Sequence, residues 1–383
     1  MVELLRCANG KHARLILSGD TRQHGPVETS DALVAIEKHS GIHAVELHTI
    51  RRQDPARGKT IEEKRQIRNY RQAVEAAADG RLAESFTKLE AAGFVTACRL
   101  GTQSDALAEE YLQLTEQKAS AVVVSQTWSE VNRVNTRIRE SLKAKGLIGQ
   151  QDYTIETLDR LDLTNAQKRD QRFYPSGAVI LFNQQVMGCV PGQTGKVQGI
   201  VNAGLVVEVE GKLLTIQNRL LSRLTVCVPR ELPIAVGDRL QLKANRKLES
   251  GFKVNNGELV TVKQVRPASG HIELTDGRIL DPSFKEFVPG YAITSYGSQG
   301  KTVDYVLFSD SAVQAATNAQ QWYVSISRGR KGVRIFTPDK ERLREAVARS
   351  GHRPLAMDLL PKNTIRSSSP RQSLHSGAWG QLR

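Results

Sequence analysis

Between Thr60 and Phe336 the hydrophobic pattern changes period twice, and this double change constrains the fold more than any single motif. From Thr60 to about residue 172 helical and strand patterns alternate. Thr60-Ile-Glu-Glu63 is a capping box, a hydroxyl cap answered by a Glu three residues on. Ile67, Tyr70, Val74 and Ala78 follow it at helical spacing, and Gly80 and Gly93 punctuate a helical hairpin. Ala121-Val-Val-Val-Ser125 is a short, wholly apolar run of the kind that makes a buried strand. Thr127-Trp-Ser-Glu130, a second capping box, opens a helix with Val131, Val134 and Ile138 on one face. Strands alternating with helices predict a parallel α/β domain.

The period then drops to two. Ala178–Phe182, Lys196–Val201, Leu205–Val209, Leu213–Ile216, Leu224–Val228, Arg239–Lys243, Leu259–Val265 and His271–Leu274 are short β-type runs separated by Gly, Asn and Pro. Asn255-Asn-Gly257 is a hairpin signal. Together they predict one or two small antiparallel barrels. From Tyr291 the α/β pattern returns, with strands expected at Tyr305–Phe308 and Val333–Phe336. Residues 47–172 and 290–350 are therefore expected to fold as one α/β domain from which 173–289 projects. Residues 351–383, rich in Ser, Pro and Arg, are expected to be a disordered basic tail.

Composition narrows the partner class. The 383 residues carry a net charge of +14, which favours a polyanion through release of its counterions. The basic residues are spread along the chain, which argues against a simple basic-tail binder. No apolar run approaches the ~20 residues of a membrane helix, so no membrane insertion is expected. Met1-Val-Glu-Leu-Leu-Arg-Cys7 lacks a signal-peptide core, and the default location is the cytosol. Cys7, Cys98, Cys189 and Cys227 show no paired spacing, so neither a zinc site nor a disulfide framework is supported, and no metal ligands are assigned.

Four segments carry candidate chemistry. Tyr291-Ala-Ile-Thr-Ser-Tyr-Gly-Ser-Gln-Gly-Lys-Thr-Val-Asp304 reads as a strand ending in a small-residue turn whose N–H groups can meet an oxyanion. Gln321-Trp-Tyr-Val-Ser-Ile-Ser-Arg-Gly-Arg330 reads as a helix that delivers Arg328 and Arg330, and a fixed guanidinium neutralises phosphate through paired hydrogen bonds. Residues 13–18 read as an apolar strand leading to Gly19-Asp20-Thr21-Arg22-Gln23. Val45–Ile50 reads as another, leading to Arg51-Arg52-Gln53. Two look-alikes of a phosphate-binding loop fail. Ser295–Thr302 ends in Gly-Lys-Thr but has Ser295 at the leading Gly, and Gly192-Gln-Thr-Gly-Lys-Val197 has Val190 there and Val197 after the Lys.

The order of these segments resembles motifs III to VI of superfamily one helicases of the RecD-like branch. Gly19-Asp-Thr-Arg-Gln-His-Gly25, Leu163-Thr-Asn-Ala-Gln-Lys-Arg169 and Asn318–Arg330 resemble the helicase part of conjugative relaxases of the TraI/TrwC (MobF) type. The resemblance implies a RecA-like second motor domain at 47–172 and 290–350, a remnant of the first motor domain at 1–46, and an inserted SH3-like barrel region at 173–289. It implies that Arg52 and Arg328 act on the γ-phosphate, that Gln23, Asp20, Gly300 and Asp304 lie with the nucleotide, and that Thr294, Tyr296, Ser298 and Gln299 track single-stranded DNA. Gly297 and Tyr296 depart from the Lys and His common in relatives at those positions.

The family's Gly-Lys-Thr loop and Asp-Glu magnesium motif should precede Gly19, and the 18 residues there contain neither. The chain therefore resembles the C-terminal half of such a helicase, either truncated or separated from its first half. ATP and Mg2+ are implied as cofactors only if that half is supplied. Implied partners are single-stranded DNA and an upstream relaxase or helicase half, or the conjugation machinery. Two readings stand: a helicase fragment that does not hydrolyse ATP alone, and a non-enzymatic nucleic-acid-binding remnant that uses the barrels and the basic surface. Tyr296 is likewise open between a base-stacking residue and a packed core aromatic.

Overall fold

A computed structural model describes residues 2–25, 31–47, 49–310, 317–352 and 355–359. Its first helices, α1 (Val2–Gly10) and α2 (Ala32–His39), bury at most Val34. The hairpin of α3 (Ile61–Ala78) and α4 (Leu82–Ala91) turns at Gly80, whose φ is +79°. The first capping box forms: Thr60 Oγ1 accepts from Glu63 N at 3.1 Å, and Glu63 Oε2 accepts from Lys59 N at 2.5 Å. β1 (Val95–Ala97), α5 (Gln103–Glu116), β2 (Ala121–Ser125) and α6 (Trp128–Ala144) continue the alternation. In the second box Thr127 Oγ1 caps Glu130 N, but the Glu130 carboxylate instead accepts Ser125 Oγ and Ser309 Oγ, each at 2.5 Å.

The β-rich stretch comprises β3 (Tyr153–Leu161), β4 (Val179–Phe182), β5 (Thr194–Val201), β6 (Gly204–Val209), β7 (Lys212–Gln217), β8 (Leu224–Ile234), β9 (Arg239–Leu242), β10 (Arg246–Lys247), β11 (Lys253–Val254), β12 (Leu259–Arg266), β13 (His271–Leu274), β14 (Ile279–Leu280) and β15 (Phe287–Pro289). It forms a six-stranded antiparallel sheet, β3-β8-β4-β5-β6-β7, and a five-stranded one, β14-β13-β12-β9-β15, each with its own apolar core. The stretch begins at Tyr153 and not at 173, because β3 pairs along its whole length with β8. Asn255–Gly257 does turn, with Gly257 at φ +83°, but it joins β11 to β12, which belong to different sheets. The expected hairpin is absent there because Leu259 pairs with β9 instead.

β16 (Ala292–Thr294), α7 (Ser295–Ser298), β17 (Val303–Ser309), α8 (Ala319–Ile326), β18 (Gly329–Thr337) and α9 (Lys340–Ala348) complete the chain. β16 and β17 both pair in parallel with β2, giving the sheet β1-β18-β17-β2-β16. Successive side chains of a strand face opposite ways, so Val122 and Val124 meet Tyr70, Phe86, Trp322 and Leu343 on one face. Ala121 and Val123 meet Leu107, Val134 and Ile138 on the other. A sheet covered on both faces explains why Ala121–Ser125 is apolar throughout. The fold is α/β with a parallel sheet, as expected.

Two expected strands are absent. Residues 13–18 and the described part of 45–50 are irregular, with Ile16 87%, Val45 93% and Leu47 95% exposed. A strand exists only against a neighbour, and no described strand pairs with either segment. The expected tail lies mostly outside the described residues. Its first part is ordered where Ala356–Leu359 forms a 3-10 turn and Asp358 bonds His39 at 3.2 Å. No helix among the described residues is long and apolar enough to cross a membrane.

Candidate functional site

A cleft of 510 Å³ opens where α8 hands over to β18, and Gln23, Arg52 and Arg328 all line it. Backbone carbonyls hold both arginines, whereas side chains hold Gln23, whose Nε2 donates to Asp20 Oδ2 at 2.9 Å. Arg52 donates from Nε to Thr302 Oγ1 at 3.2 Å and from Nη1 to Ser327 O at 2.5 Å. Gln53, 1% exposed, donates from Nε2 to Ser327 O at 3.2 Å and to Gly329 O, so the Arg-Gln pair is fastened to the Ser-Arg-Gly-Arg segment. Arg328, 3% exposed, donates from Nε to Val324 O at 2.8 Å and from Nη2 to Gln23 Oε1 at 3.4 Å.

Gly329 makes this approach possible. A Cβ there would collide with the Gly332 carbonyl and stand 2.7 Å from the Tyr70 hydroxyl, which itself donates to Ile326 O. Gly329→Ala is expected to destabilise the domain by about 1–3 kcal/mol through overpacking, measured by denaturant unfolding. An unchanged stability would show that the two backbone segments can part without cost.

The electrostatics of the cleft are one-sided. Arg51, Arg52, Arg57, Arg328 and Arg330 line it and, among the described residues, no carboxylate does. Burial, then the neighbouring Arg52, lowers the Arg328 pKa to about 10, and burial likewise lowers that of Arg52. A guanidinium that loses hydration with only the weaker pull of Asp20 in return favours a bound anion. Asp20 is close by but occupied, accepting from Arg22 N at 3.0 Å and Gln23 Nε2 at 2.9 Å. Among the described residues no group of three His, Cys, Asp or Glu side chains could hold a metal ion. The donor set fits phosphate oxygens and not their metal.

Other expected site residues are distributed differently. Asp304 is outside the cleft lining, accepting from Ser120 N at 3.0 Å and Ser120 Oγ at 2.8 Å, and pairs at 3.6 Å with Arg330, which lines it. Gly300, at φ +80°, is an exposed turn residue outside the cleft lining. Lys301 of the false Gly-Lys-Thr donates to Gly257 O. Thr294 caps α7 through Gly297 N at 3.1 Å, and Ser298 is buried, its Oγ donating to Ser295 O at 2.7 Å. Both hydroxyls are thus engaged within the turn. Gln299 is exposed and its Nε2 reaches Gln23 Oε1 at 3.4 Å. Tyr296 is 51% exposed, which decides against a packed core aromatic.

His24 is the functional candidate that sequence reasoning missed. Its ring stacks on Tyr296 at 3.9 Å and 14°, and its Nε2 bonds Ser295 Oγ at 2.8 Å. It therefore joins the cleft residue Gln23 to the exposed tyrosine. The only signal was adjacency to Gln23. Burial, then Arg328, lowers its pKa from 6.5 to about 4. Since the folded value lies below the unfolded one, the stacked neutral ring contributes its full stability above pH 6.5 and loses it as pH falls toward 4. NMR titration is expected to give a midpoint near 4, shifted toward 6.5 in Tyr296→Ala. A native midpoint at 6.5 would rule out the stacked arrangement.

A family profile described as an AAA domain matches residues 1–99. The multifunctional conjugation protein TraI of Escherichia coli is 20% identical over 293 residues, covering 72% of this chain and 16% of that protein. The chain thus spans well under a quarter of the length of that relative. Among solved structures, the Pif1 helicase from Bacteroides in complex with ADP-AlF3 and ssDNA is 14% identical, covers 86% of this chain and 64% of its own, and has a TM-score of 0.33. Pif1 helicase from Candida albicans is 15% identical, with coverages of 72% and 55% and a TM-score of 0.24. With the order of the motifs, the profile and the TraI match support a TraI/RecD-like helicase region.

Proposed function

We propose that this chain supplies the second motor domain of a conjugative relaxase-type DNA helicase, with residues 1–46 a remnant of the first and the β-rich segment an SH3-like insertion. The observation that carries the reading is the cleft lined by five arginines and, among the described residues, no carboxylate. In this reading Arg52 and Arg328 neutralise the γ-phosphate of ATP, Gln23 senses it, and Tyr296 and Gln299 face single-stranded DNA. Bound Mg2+-ATP would supply the transferable phosphoryl group. The Walker lysine and the acidic magnesium motif would have to come from another polypeptide segment, so these 383 residues alone do not hydrolyse ATP. The partner is a relaxase or helicase half, or another component of plasmid transfer, in the cytoplasm.

ATP hydrolysis, measured with and without single-stranded DNA, tests this. The expected result is no turnover by the chain alone and DNA-stimulated turnover after mixing with a polypeptide that carries Gly-Lys-Thr and Asp-Glu motifs of the same family. Turnover by the chain alone would defeat the fragment reading. Continued DNA binding with no turnover in any mixture would favour the non-enzymatic one.

A further inference from the structure

The exposed aromatic Trp128 plays no part in the cleft or in the turn around Tyr296. It is the first residue of α6 and 48% exposed, although a tryptophan usually finds burial. The Lys243 ammonium stands 4.8 Å from its ring centroid. Among the described residues Lys243 has no ion-pair partner, while burial lowers its pKa and the more distant Asp162 and Asp159 only partly offset this.

The position of this pair follows from topology. β2 and β16 are adjacent and parallel, with Ser125 opposite Thr294. Trp128 lies three residues beyond Ser125, and Tyr296 two residues beyond Thr294, so both aromatics follow the same end of neighbouring strands. The insertion touches both places. Gln241 on β9 puts its amide 3.1 Å from where a Cβ on Gly297 would sit, beside Tyr296. Lys243, two residues on, extends the same face to Trp128. Lys301 adds positive charge beside Lys243, its pKa lowered by burial first and then by Arg239 and Lys243.

We propose that single-stranded DNA bound at Tyr296 continues across the seam between the parallel sheet and the insertion to a second stacking station, Trp128 with Lys243. This rests on the reading that the chain binds single-stranded DNA. An aromatic face accepts any base, and an unpaired cation beside it takes the adjoining phosphate. The β-rich insertion then forms one wall of the track.

Fluorescence anisotropy of the full chain with a short labelled oligothymidine tests it, beside thermal melts. Trp128→Ala is expected to weaken binding about fivefold or more, the loss of one stacked base, and Trp128→Phe to keep most of the affinity. Lys243→Gln should reduce the slope of log affinity against log salt by about 0.7, the share of one phosphate contact. Oligothymidine should quench tryptophan emission in the native chain, and much less in Trp128→Phe. If Tyr296→Ala weakens binding while folded Trp128→Ala and Lys243→Gln bind like the native chain, the second station is overturned and the DNA-binding reading stands. If the native chain binds no oligothymidine, both fall together. Should Trp128→Ala fail to fold, the salt slope of Lys243→Gln decides, and an unchanged slope overturns the proposal.

Discussion

Arg328→Ala should lower DNA-stimulated ATP hydrolysis by about a thousandfold or more when the chain is reconstituted with a phosphate-binding half, the usual loss for an arginine that stabilises phosphoryl transfer. The physical case rests on geometry already in place. The Nε–H is committed to Val324 O and Nη2 to Gln23 Oε1, so the guanidinium plane is fixed before any phosphate arrives. Among the described residues no carboxylate lines the cleft, and burial beside Arg52 makes the charge costly until an anion enters. Arg328→Lys should not rescue, because a point charge on a flexible stem cannot keep the bonds to Val324 O and Gln23 Oε1 and still present a donor. Arg52→Ala should lose activity as well, with some loss of stability, since Arg52 also holds Ser327 O. Full activity in a folded Arg328→Ala pair would remove the residue from the reaction.

What was legible in the sequence depended on how local its cause is. Ala121–Ser125 announced a doubly covered strand because both faces need apolar side chains, and each of the eight short β-type runs is a strand because Gly, Asn and Pro punctuate their ends. The runs at 13–18 and 45–50 misled because strand propensity states only that a segment fits a sheet. Whether it forms a strand depends on a neighbour that these segments lack among the described residues. Glu130 had a local role in a capping box and took a tertiary one, accepting two serine hydroxyls at strand ends.

The cleft was half legible. The short patterns Arg52-Gln53 and Ser327–Arg330 named the arginines, but not that Gln53 binds the backbone of the second pattern. The family resemblance placed Asp304 with the nucleotide. The register of β17 instead turns it toward Ser120, at the start of β2. His24 could be found only in three dimensions, since its partner Ser295 lies 271 residues away. Lone polar residues whose partners are that remote leave no periodic trace.

The attachment of the insertion gives the second large effect, expected for Asp238→Ala. Asp238 is 2% exposed and sits in the turn after β8, where Gly237 adopts φ +88°. Its carboxylate accepts from Arg139 Nε at 3.0 and 2.9 Å, from the Tyr291 hydroxyl at 2.7 Å and from Ala235 N at 2.6 Å. Arg139 belongs to α6, and Tyr291 is where the chain re-enters the parallel sheet, so a single carboxylate ties both crossings between the insertion and the α/β layers. Alanine would strand a buried hydroxyl and a buried N–H, and leave Arg139 with only Asp152 at 2.5 Å. Breaking a buried, hydrogen-bonded pair of this kind costs about 3–5 kcal/mol. Asp238→Asn, which keeps an acceptor for Tyr291 or Ala235, should cost roughly half as much. Hydrogen exchange should show the loss around α6 and β16, while β12 and β13, held by their own core, stay protected. A change of less than about 1 kcal/mol, within the ordinary range for surface substitutions, would mean that packing and not this carboxylate fastens the two units.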